Sequence, residues 1–401
     1  GTAAAVTQGY LLNMETLLDL DHPYQDGKVR DMFEENVLAE ARNNGRMVIL
    51  LAGRPYHSDP LIQHQVADMI AGMGVDVITD DIVRNKQIDL AGVHFVPQWA
   101  YPNRILKAAK WCAMQGDDVH LVQFTSFGCG PDAFLVDEVR DLMVRHHKSL
   151  TLLKLDDINN VGSMKLRIRS LIESLKLAKQ KNAIGQKRNP EKFTTTPTFD
   201  ESCRGRKILI PFFTQFVSPF IPVVFKLSGY DCESLPLSDS LSGDMGLQYA
   251  NNEVCYPATL IVGDFVKAFR SGRYDPEKTA VAITQTGGQC RASNYITLIK
   301  KALVDSGFPQ VPVISVAFED LGNDQPGFTF PVRKILPTVF YGIMYGDVLA
   351  KFYYPAAVRE KEPGLANALR DKYLQLGVEA LTRKDRKGQR ATPATRATAP
   401  L

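Results

Sequence analysis

Short apolar segments alternate with longer segments of helical periodicity along most of this chain of 401 residues. Residues 47–51, 120–124, 207–211 and 279–284 are of the short type, and a helical segment follows each of them. The continuous apolar character of residues 47–51 is typical of a strand that is buried on both faces of a parallel sheet. Strands that alternate with helices form βαβ units. We therefore predict an α/β fold of two Rossmann-like parallel-sheet domains that face each other, followed by C-terminal helices.

The pattern divides the chain into six regions. A polar stretch over residues 186–198 is typical of a linker, and the basic end, rich in Ala, Thr and Pro, is typical of disorder. The chain starts at Gly1 without a methionine, which predicts a processed chain or a segment of a longer polypeptide. The predicted regions are an N-terminal lead-in and helix (1–45), a first α/β domain (46–168), a helix and linker (169–204), a second α/β domain (205–330), a C-terminal helical segment (331–382) and a disordered tail (383–401).

The bulk composition argues against several classes of protein. Lys and Arg number 47 against 44 Asp and Glu, and no long basic run appears outside the tail, which argues against a nucleic-acid partner. No apolar run reaches the roughly 18–20 residues that a membrane span needs, and the N-terminus lacks the layout of a signal peptide. We therefore expect a soluble, cytoplasmic protein with no membrane partner.

Three of the six cysteines occupy the same kind of position. Cys129 follows a predicted strand and lies two residues before Pro131, and Cys290 follows another strand in a glycine-bearing loop before a helix. Cys255 lies two residues before Pro257. Proline is common as the first residue of a helix, because its missing N–H has no partner there in any case. All three thiols are therefore predicted to lie at helix N-termini.

Such positions favour metal binding. The carboxyl ends of parallel strands border the crevice in which open α/β sheets bind ligands. The unpaired N–H groups and partial positive charge of a helix N-terminus favour the thiolate, which is the form that binds metal. Our hypothesis is that Cys129, Cys255 and Cys290 converge on one iron–sulfur cluster between the two halves. Three ligands on a four-iron cluster would leave one iron open to substrate.

Other interpretations of these cysteines stay open. A single cysteine after a strand is often a small buried apolar residue. Zinc is a second alternative, since the three cysteines with His57 or His94 would form a Cys₃His site, although the paired spacing of structural zinc sites is missing. Six cysteines are too few for a disulfide scaffold. The remaining cysteines are predicted to be structural or incidental: Cys112, Cys203 and Cys232.

Four segments resemble the 2-hydroxyacyl-CoA dehydratase-related proteins. More narrowly, they resemble the dehydratase-like region that is fused behind the activator ATPase in large CoA-enzyme activases of anaerobes, which is related to double-cubane cluster proteins. The resemblance spans roughly residues 46–354, and its last two motifs are the more specific. The segments are Gly-Arg-Pro-Tyr-His at 53–57, Ser-Phe-Gly-Cys-Gly-Pro-Asp-Ala at 126–133, Asn-Asn-Glu-Val-Cys-Tyr-Pro at 251–257 and Gln-Thr-Gly-Gly-Gln-Cys-Arg-Ala at 285–292.

The resemblance implies an ATP-driven reductase system. In such a system an activator ATPase docks and passes one low-potential electron to a cluster of the [4Fe–4S] or double-cubane type, which the dehydratase component holds through cysteines. The substrate is a small molecule or a CoA thioester such as a 2-hydroxyacyl-CoA. No P-loop and no actin-like phosphate motif appears here, so the ATPase is expected on another chain or upstream of Gly1. A dimer is among the expected assemblies.

Polar residues beside the predicted ligands are candidates for catalysis. We predict that Arg54 pairs with a phosphate or carboxylate and that His57 donates a proton. The alternative is a loop packed by Pro55, with the arginine facing solvent. Arg291, next to Cys290, is predicted to offset the negative charge of the cluster or, alternatively, to be a surface residue at a helix start. Residues 251–253 are interpreted as a helix cap.

The sequence thus predicts that the chain is the cluster-bearing component of a low-potential reductase or dehydratase system. Such a component would be part of a lyase or a reductase. Two rival functions stay open. One is a non-catalytic assembly module without a cluster, and the other is a zinc enzyme or thiol redox protein.

Overall fold

A computed structural model describes residues 26–59, 61–97, 99–126, 130–155, 161–180, 189–285, 291–317 and 325–382. Two four-stranded sheets organise these residues, and every strand pairing in both sheets is parallel. Helices connect the strands, so the predicted α/β class with two parallel sheets is confirmed. The lead-in at residues 1–25 and the predicted disordered tail at 383–401 lie outside the described residues.

The first sheet has the strand order β2-β1-β3-β4. Its central strands β1 and β3 are buried along their whole length. The apolar sequence of β1 predicts this burial, whereas β3 also buries the polar residues His120, Gln123 and Thr125. Their register runs from Val48↔Val119 to Ala52↔Gln123. The elements of this half are α1 (Asp26–Asn43), β1 (Val48–Ala52), α2 (Val66–Ala71), β2 (Asp76–Thr79), α3 (Ala100–Met114), β3 (Val119–Thr125), α4 (Pro131–Arg145), β4 (Leu150–Lys154) and α5 (Val161–Gln180).

The second sheet repeats this order as β6-β5-β7-β8. Its core packs Ile208 and Ile210 of β5 against Ala280 and Ala282 of β7 and the ring of Phe328. The elements of this half are β5 (Lys207–Ile210), α6 (Ile221–Leu227), β6 (Cys232–Ser234), α7 (Ser240–Gly246), α8 (Tyr256–Arg270), β7 (Thr279–Thr284), α9 (Tyr295–Asp305), β8 (Val313–Val316), α10 (Val332–Ala357) and α11 (Leu365–Thr382).

Residues 238–246 are rich in Ser, Asp and Gly, a composition that predicts a loop, whereas the structure has helix α7 at Ser240–Gly246. Asp239 caps the helix, and its carboxylate accepts a hydrogen bond from the Ser242 N–H at 2.9 Å. Gly246 lies against α8, where a Cβ atom would overlap the carbonyl oxygen of Thr259. Close packing on α8 therefore overrides the low helix propensity of this segment.

Residue contacts group the chain into two compact units. The first unit joins residues Gly1–Thr194 with two short segments from later in the chain, Asn251–Cys255 and Gln289–Thr297. The second unit holds the second sheet and the C-terminal helices. The first of these two short segments ends with Cys255, and the second contains Tyr295.

The C-terminal helices α10 and α11 pack on each other around a small aromatic core. Phe216, Phe220 and Leu374 are its buried residues, and Tyr345 and Tyr353 of α10 pack against them. Although α10 is 26 residues long, no helix of the described part of the chain is apolar enough over sufficient length to cross a membrane.

Candidate functional site

The candidate site lies where the first sheet reverses its strand order, between β1 and β3. The chain leaves these two strands in opposite directions, and the crevice outside their carboxyl ends is the usual ligand site of an open α/β sheet. Arg54 and His57 follow β1, and Ser126 follows β3. Helix α4 then begins at Pro131, as the sequence predicts.

Arg54 forms a two-pronged ion pair with Asp132, in the first turn of α4. The Arg54 Nε atom donates to Oδ2 at 2.9 Å, and Nη2 donates to Oδ1 at 2.8 Å. The hydrogen bonds that Arg54 donates to Asp132 hold the pKa of Arg54 above its ordinary value. Planar paired geometry of this kind is among the strongest side-chain interactions. The pair therefore fastens the loop after β1 to the helix that follows Cys129.

His57 is buried, and both of its ring nitrogens have partners. Nδ1 accepts a hydrogen bond from the Arg54 backbone N–H at 3.1 Å, so the ring proton lies on Nε2, which is 2.5 Å from the Ser126 Oγ atom. Burial is the main cause of a pKa of about 4 for His57; the Asp132 carboxylate opposes this shift, and the Arg54 guanidinium adds to it. Near pH 7 His57 is therefore a neutral ring that joins the loops after β1 and β3.

Gly53 explains why the loop after β1 can take this form. A Cβ atom at Gly53 would lie 2.8 Å from Nδ1 of His57, which is too close for any side chain. The Gly53 N–H also donates to Oδ2 of the buried Asp80 at 3.2 Å, and Nη2 of Arg104 lies 3.3 Å from Oδ1 of Asp80. Burial raises the pKa of Asp80 to about 7 against the opposing charge of Arg104. Gly53 thus allows the His57 ring to pack closely against the backbone, and its N–H binds the carboxylate of Asp80, the residue directly after β2.

Cys255 is the residue directly before α8, in agreement with its predicted position at a helix N-terminus. Its thiol is half-buried, and Sγ lies 2.8 Å from the Oη atom of Tyr295. The ring of Tyr295, the first residue of α9, stacks on Phe134 of α4 with ring centroids 6.0 Å apart. A metal-bound cysteine carries no thiol proton, so Tyr295 would be the donor to such a sulfur.

Asn251 links the segment before Cys255 to α4, which corrects its interpretation as a cap of the following helix. Its Nδ2 atom donates to the carbonyl oxygen of Ala133 at 2.9 Å and to Oδ2 of Asp137 at 2.6 Å. Its Oδ1 atom accepts from the Glu253 N–H at 2.8 Å. The side-chain amide of Asn251 therefore stabilises a local turn through Oδ1 and binds α4 through Nδ2.

The residues after Cys290 also pack in the first unit. A 3₁₀ turn over Arg291–Asn294 precedes α9. The buried Asn294 accepts a hydrogen bond through Oδ1 from the Val96 N–H at 3.1 Å. The structure describes the backbone of Arg291, and the role predicted for its side chain stays a prediction.

Two of the three predicted ligands, Cys129 and Cys290, lie outside the described residues. Within the described ranges no group of three or more His, Cys, Asp or Glu side chains is placed to hold a metal ion. Among the predicted site residues the structure brings Arg54 and His57 together, and it places Cys255 against Tyr295. The iron–sulfur cluster, the ligand set and the catalytic roles stay predictions.

Sequence reasoning missed four contributors to this site: Asp132, Ser126, Asp80 and Tyr295. Asp132 had a signal, because it follows Pro131 in the first turn of a helix, where a carboxylate is favourable. Ser126, like Asp132, lies within the segment 126–133 that carries the family resemblance. Asp80 and Tyr295 have no distinctive local pattern, because their partners are 27 and 40 residues away along the chain.

Residues 25–83 match the family described as the CoA enzyme activase uncharacterised domain (DUF2229). Residues 25–83 are therefore similar to a CoA-enzyme-activase-related domain. This match confirms the resemblance to the dehydratase-related proteins that are associated with CoA-enzyme activases.

The matched region covers α1, β1, α2 and β2 and ends with the 3₁₀ turn at Asp80–Val83. It therefore includes Arg54, His57 and Asp80 of the candidate site, and it ends before the first of the three predicted cysteine ligands. No curated protein and no solved structure matched the chain.

Proposed function

We propose that the chain is the iron–sulfur component of an ATP-dependent, low-potential reductase or dehydratase system. In this proposal Cys129, Cys255 and Cys290 bind the cluster, which accepts electrons from an activator ATPase. The bound substrate is a small molecule or a CoA thioester, with a 2-hydroxyacyl-CoA as one candidate.

The observation that carries this proposal is that the described neighbours of all three cysteines contact one another in a single compact unit. Helix α4 begins two residues after Cys129, and Phe134 of this helix stacks on Tyr295. Tyr295 in turn contacts the Cys255 sulfur, and the turn that leads to Tyr295 begins one residue after Cys290. Consecutive Cα atoms are about 3.8 Å apart, so chain connectivity limits how far Cys129 and Cys290 can lie from this contact.

The chemistry of the neighbouring groups fits a cluster site. Cys255 has a half-buried thiol at the start of α8, and the Tyr295 hydroxyl can donate to its sulfur. Hydrogen bonds to cysteine sulfur raise the reduction potential of iron–sulfur clusters. When bound, the cluster would supply one-electron transfer. The contributions of the chain itself are to bind the cluster through three thiolates and to restrict the access of water.

Arg54 and His57 would border the cluster in this proposal. The ion pair with Asp132 occupies Nε and Nη2 of Arg54, so the arginine holds the loop in addition to any contact with substrate. His57 carries a proton on Nε2 and shares a hydrogen bond with Ser126, which makes Ser126 Oγ the atom through which a proton would pass.

The zinc alternative is less well supported at His57. A zinc-bound imidazole needs one nitrogen free for the metal, whereas both nitrogens of His57 are engaged, by the Arg54 N–H and by Ser126.

The match of residues 25–83 to an activase-related domain supports the proposed partnership with an activator ATPase.

Serine substitutions of single cysteines test the ligand set. We expect the anaerobically purified wild-type chain to contain iron and to show visible charge-transfer absorption. Cys129→Ser, Cys255→Ser and Cys290→Ser should each lose most of both, because each removes a thiolate ligand. Iron and sulfide content and the absorption spectrum measure this.

Cys112→Ser and Cys232→Ser are the matched controls. Burial raises the pKa of Cys112 to about 12 and also raises the pKa of Cys232, so both remain protonated thiols near neutral pH. These variants should keep the full iron and sulfide content. A Cys290→Ser protein that folds and retains a complete cluster would remove that ligand from the proposal.

A further inference from the structure

The loop after β1, which carries the predicted catalytic residues, is attached to a buried carboxyl group that follows the neighbouring strand. The Gly53 N–H donates to Oδ2 of Asp80 at 3.2 Å, and Asp80 is the first residue after β2. Leu51 of β1 lies opposite Thr79 of β2, so the chain leaves the two strands side by side. This contact therefore fixes the backbone of the candidate site to the end of β2.

Charged groups from several elements surround Asp80. The guanidinium of Arg104 on α3 lies 3.3 Å from Asp80 through Nη2 and 3.1 Å from Asp81 through Nη1, so two adjacent buried carboxyl groups share this cation. Glu34 of α1 is also buried, and its carboxyl group accepts a hydrogen bond from the N–H of Thr79, the residue directly before Asp80. Burial raises the pKa of Asp80 to about 7, while Arg104 opposes this shift and Asp81 adds to it.

The charge on Asp80 determines how strongly it binds the loop. A carboxylate accepts an N–H hydrogen bond roughly twice as strongly as a neutral acceptor does. Uptake of a proton by Asp80 therefore weakens its interactions with the Gly53 N–H and with Arg104 together. The residues that follow depend on this attachment, because the Arg54 backbone N–H donates to Nδ1 of the buried His57.

We propose that Asp80 is a positioning residue for the candidate site: its carboxylate holds the loop after β1 in place, and its protonation loosens the backbone of that loop. The ion pair between Arg54 and Asp132 does not involve Asp80 and holds the arginine side chain in both states. Groups that act on a ligand must be held to within about 0.5 Å, so a looser backbone changes what this loop can do. The inference concerns the loop alone and therefore stands or falls independently of the proposed cluster.

Nuclear magnetic resonance of the Gly53 amide in the full chain tests the proposal. Labelling of the alanine carbonyl carbon and the glycine nitrogen selects the three Ala-Gly pairs of the sequence, at 52–53, 71–72 and 91–92. We expect the Gly53 signal to shift with a midpoint near the pKa of Asp80, about 7. Its protection against hydrogen exchange should be about fivefold lower at pH 6 than at pH 8. The Gly72 signal is the internal reference, because its N–H donates to the backbone carbonyl oxygen of Asp68.

Three variants assign the titration to one carboxyl group. Asp80→Asn keeps the shape of the side chain but cannot ionise, so the Gly53 signal should stay constant between pH 6 and pH 8. Asp76→Asn is the matched control, because Asp76 is a buried aspartate at the other end of β2 and pairs with Arg46 at 2.6 Å. It should keep the wild-type titration, and so should Glu34→Gln, which removes the neighbouring buried acid. Far-ultraviolet circular dichroism should be the same for all of these proteins.

A second measurement needs no variant. When the aspartate carboxyl carbons of the wild-type chain are labelled, one of their signals should titrate with the same midpoint as the Gly53 amide. A wild-type Gly53 signal that does not move between pH 6 and pH 8 would overturn the proposal, and so would the absence of an aspartate that shares its midpoint. A titration that persists in the folded Asp80→Asn protein, or that disappears in the folded Glu34→Gln protein, would also contradict it.

Discussion

Replacement of Gly263 by alanine is expected to destabilise the protein by about 3 kcal/mol or more, because it inserts a methyl group where two helix backbones touch. A Cβ atom at Gly263 on α8 would overlap the carbonyl oxygen of Ser242 and lie 2.9 Å from the Gly246 backbone nitrogen on α7. Rotation of a side chain cannot relieve a clash between backbones, so the two helices must separate. Chemical denaturation with circular dichroism measures the change in the free energy of unfolding.

Gly162→Ala is the matched control for this prediction. Gly162 is also a helical glycine, on α5, and a Cβ atom there has no neighbour within 4 Å. We expect this variant to be as stable as the wild type or up to about 1 kcal/mol more stable, because alanine is the better helix former. A Gly263→Ala protein that matched the Gly162→Ala protein in stability would show that α7 and α8 are not in backbone contact.

The largest pH effect is expected from Glu34. Its Oε1 atom accepts from the Thr79 N–H at 2.9 Å and from the Thr79 hydroxyl at 2.5 Å, while its Oε2 is buried without a hydrogen-bond partner among the described residues. Burial raises the pKa of Glu34 from 4.5 to about 8, the Thr79 hydrogen bonds oppose the shift, and Asp81 and Asp80 add to it. The folded protein therefore keeps a proton that the unfolded chain releases above about pH 4.5.

The sign of the effect follows from this difference in proton binding. Between about pH 4.5 and pH 8 the folded state binds more protons at Glu34, so its contribution to stability falls as the pH rises and levels off above the folded pKa. The full loss is of the order of 3–5 kcal/mol. Glu34→Gln, which cannot ionise, should be close to wild type at pH 5 and more stable by several kcal/mol at pH 9.

Glu35→Gln is the control for the pH experiment. Glu35 is adjacent in sequence, but its carboxylate pairs with Lys86 at the surface. Surface pairs contribute under about 1 kcal/mol, so this variant should follow the wild type at both pH values. If Glu34→Gln gave no larger gain at pH 9 than at pH 5, Glu34 would not be protonated in the folded protein.

Much of the fold could be predicted from the sequence, because apolar runs and helix-start residues are local patterns. The run Thr279–Thr284 became β7 with the predicted bounds, and Pro131 marked the start of α4 correctly. The equal strand order of the two sheets agrees with the prediction of two Rossmann-like domains. Helix α7 was missed because its stability comes from backbone contact with α8 rather than from its own residues.

Less of the candidate site could be predicted from the sequence. The sequence predicted that Arg54 and His57 follow a strand at the ligand-binding edge of a sheet, and the structure places them there. The paired contact of Arg54 with Asp132 spans 78 residues and could not be predicted from periodicity. The contact of Cys255 with Tyr295 likewise depends on tertiary packing, since neither residue has a neighbouring pattern that points to the other.

The most direct test of the central claim is the metal and sulfide content of the wild-type chain, purified without exposure to oxygen. The proposal predicts iron and acid-labile sulfide in nearly equal amounts, with a paramagnetic resonance signal of a reduced cluster after treatment with dithionite. Zinc without sulfide, or a metal-free chain that takes up no cluster when iron and sulfide are supplied, would contradict it.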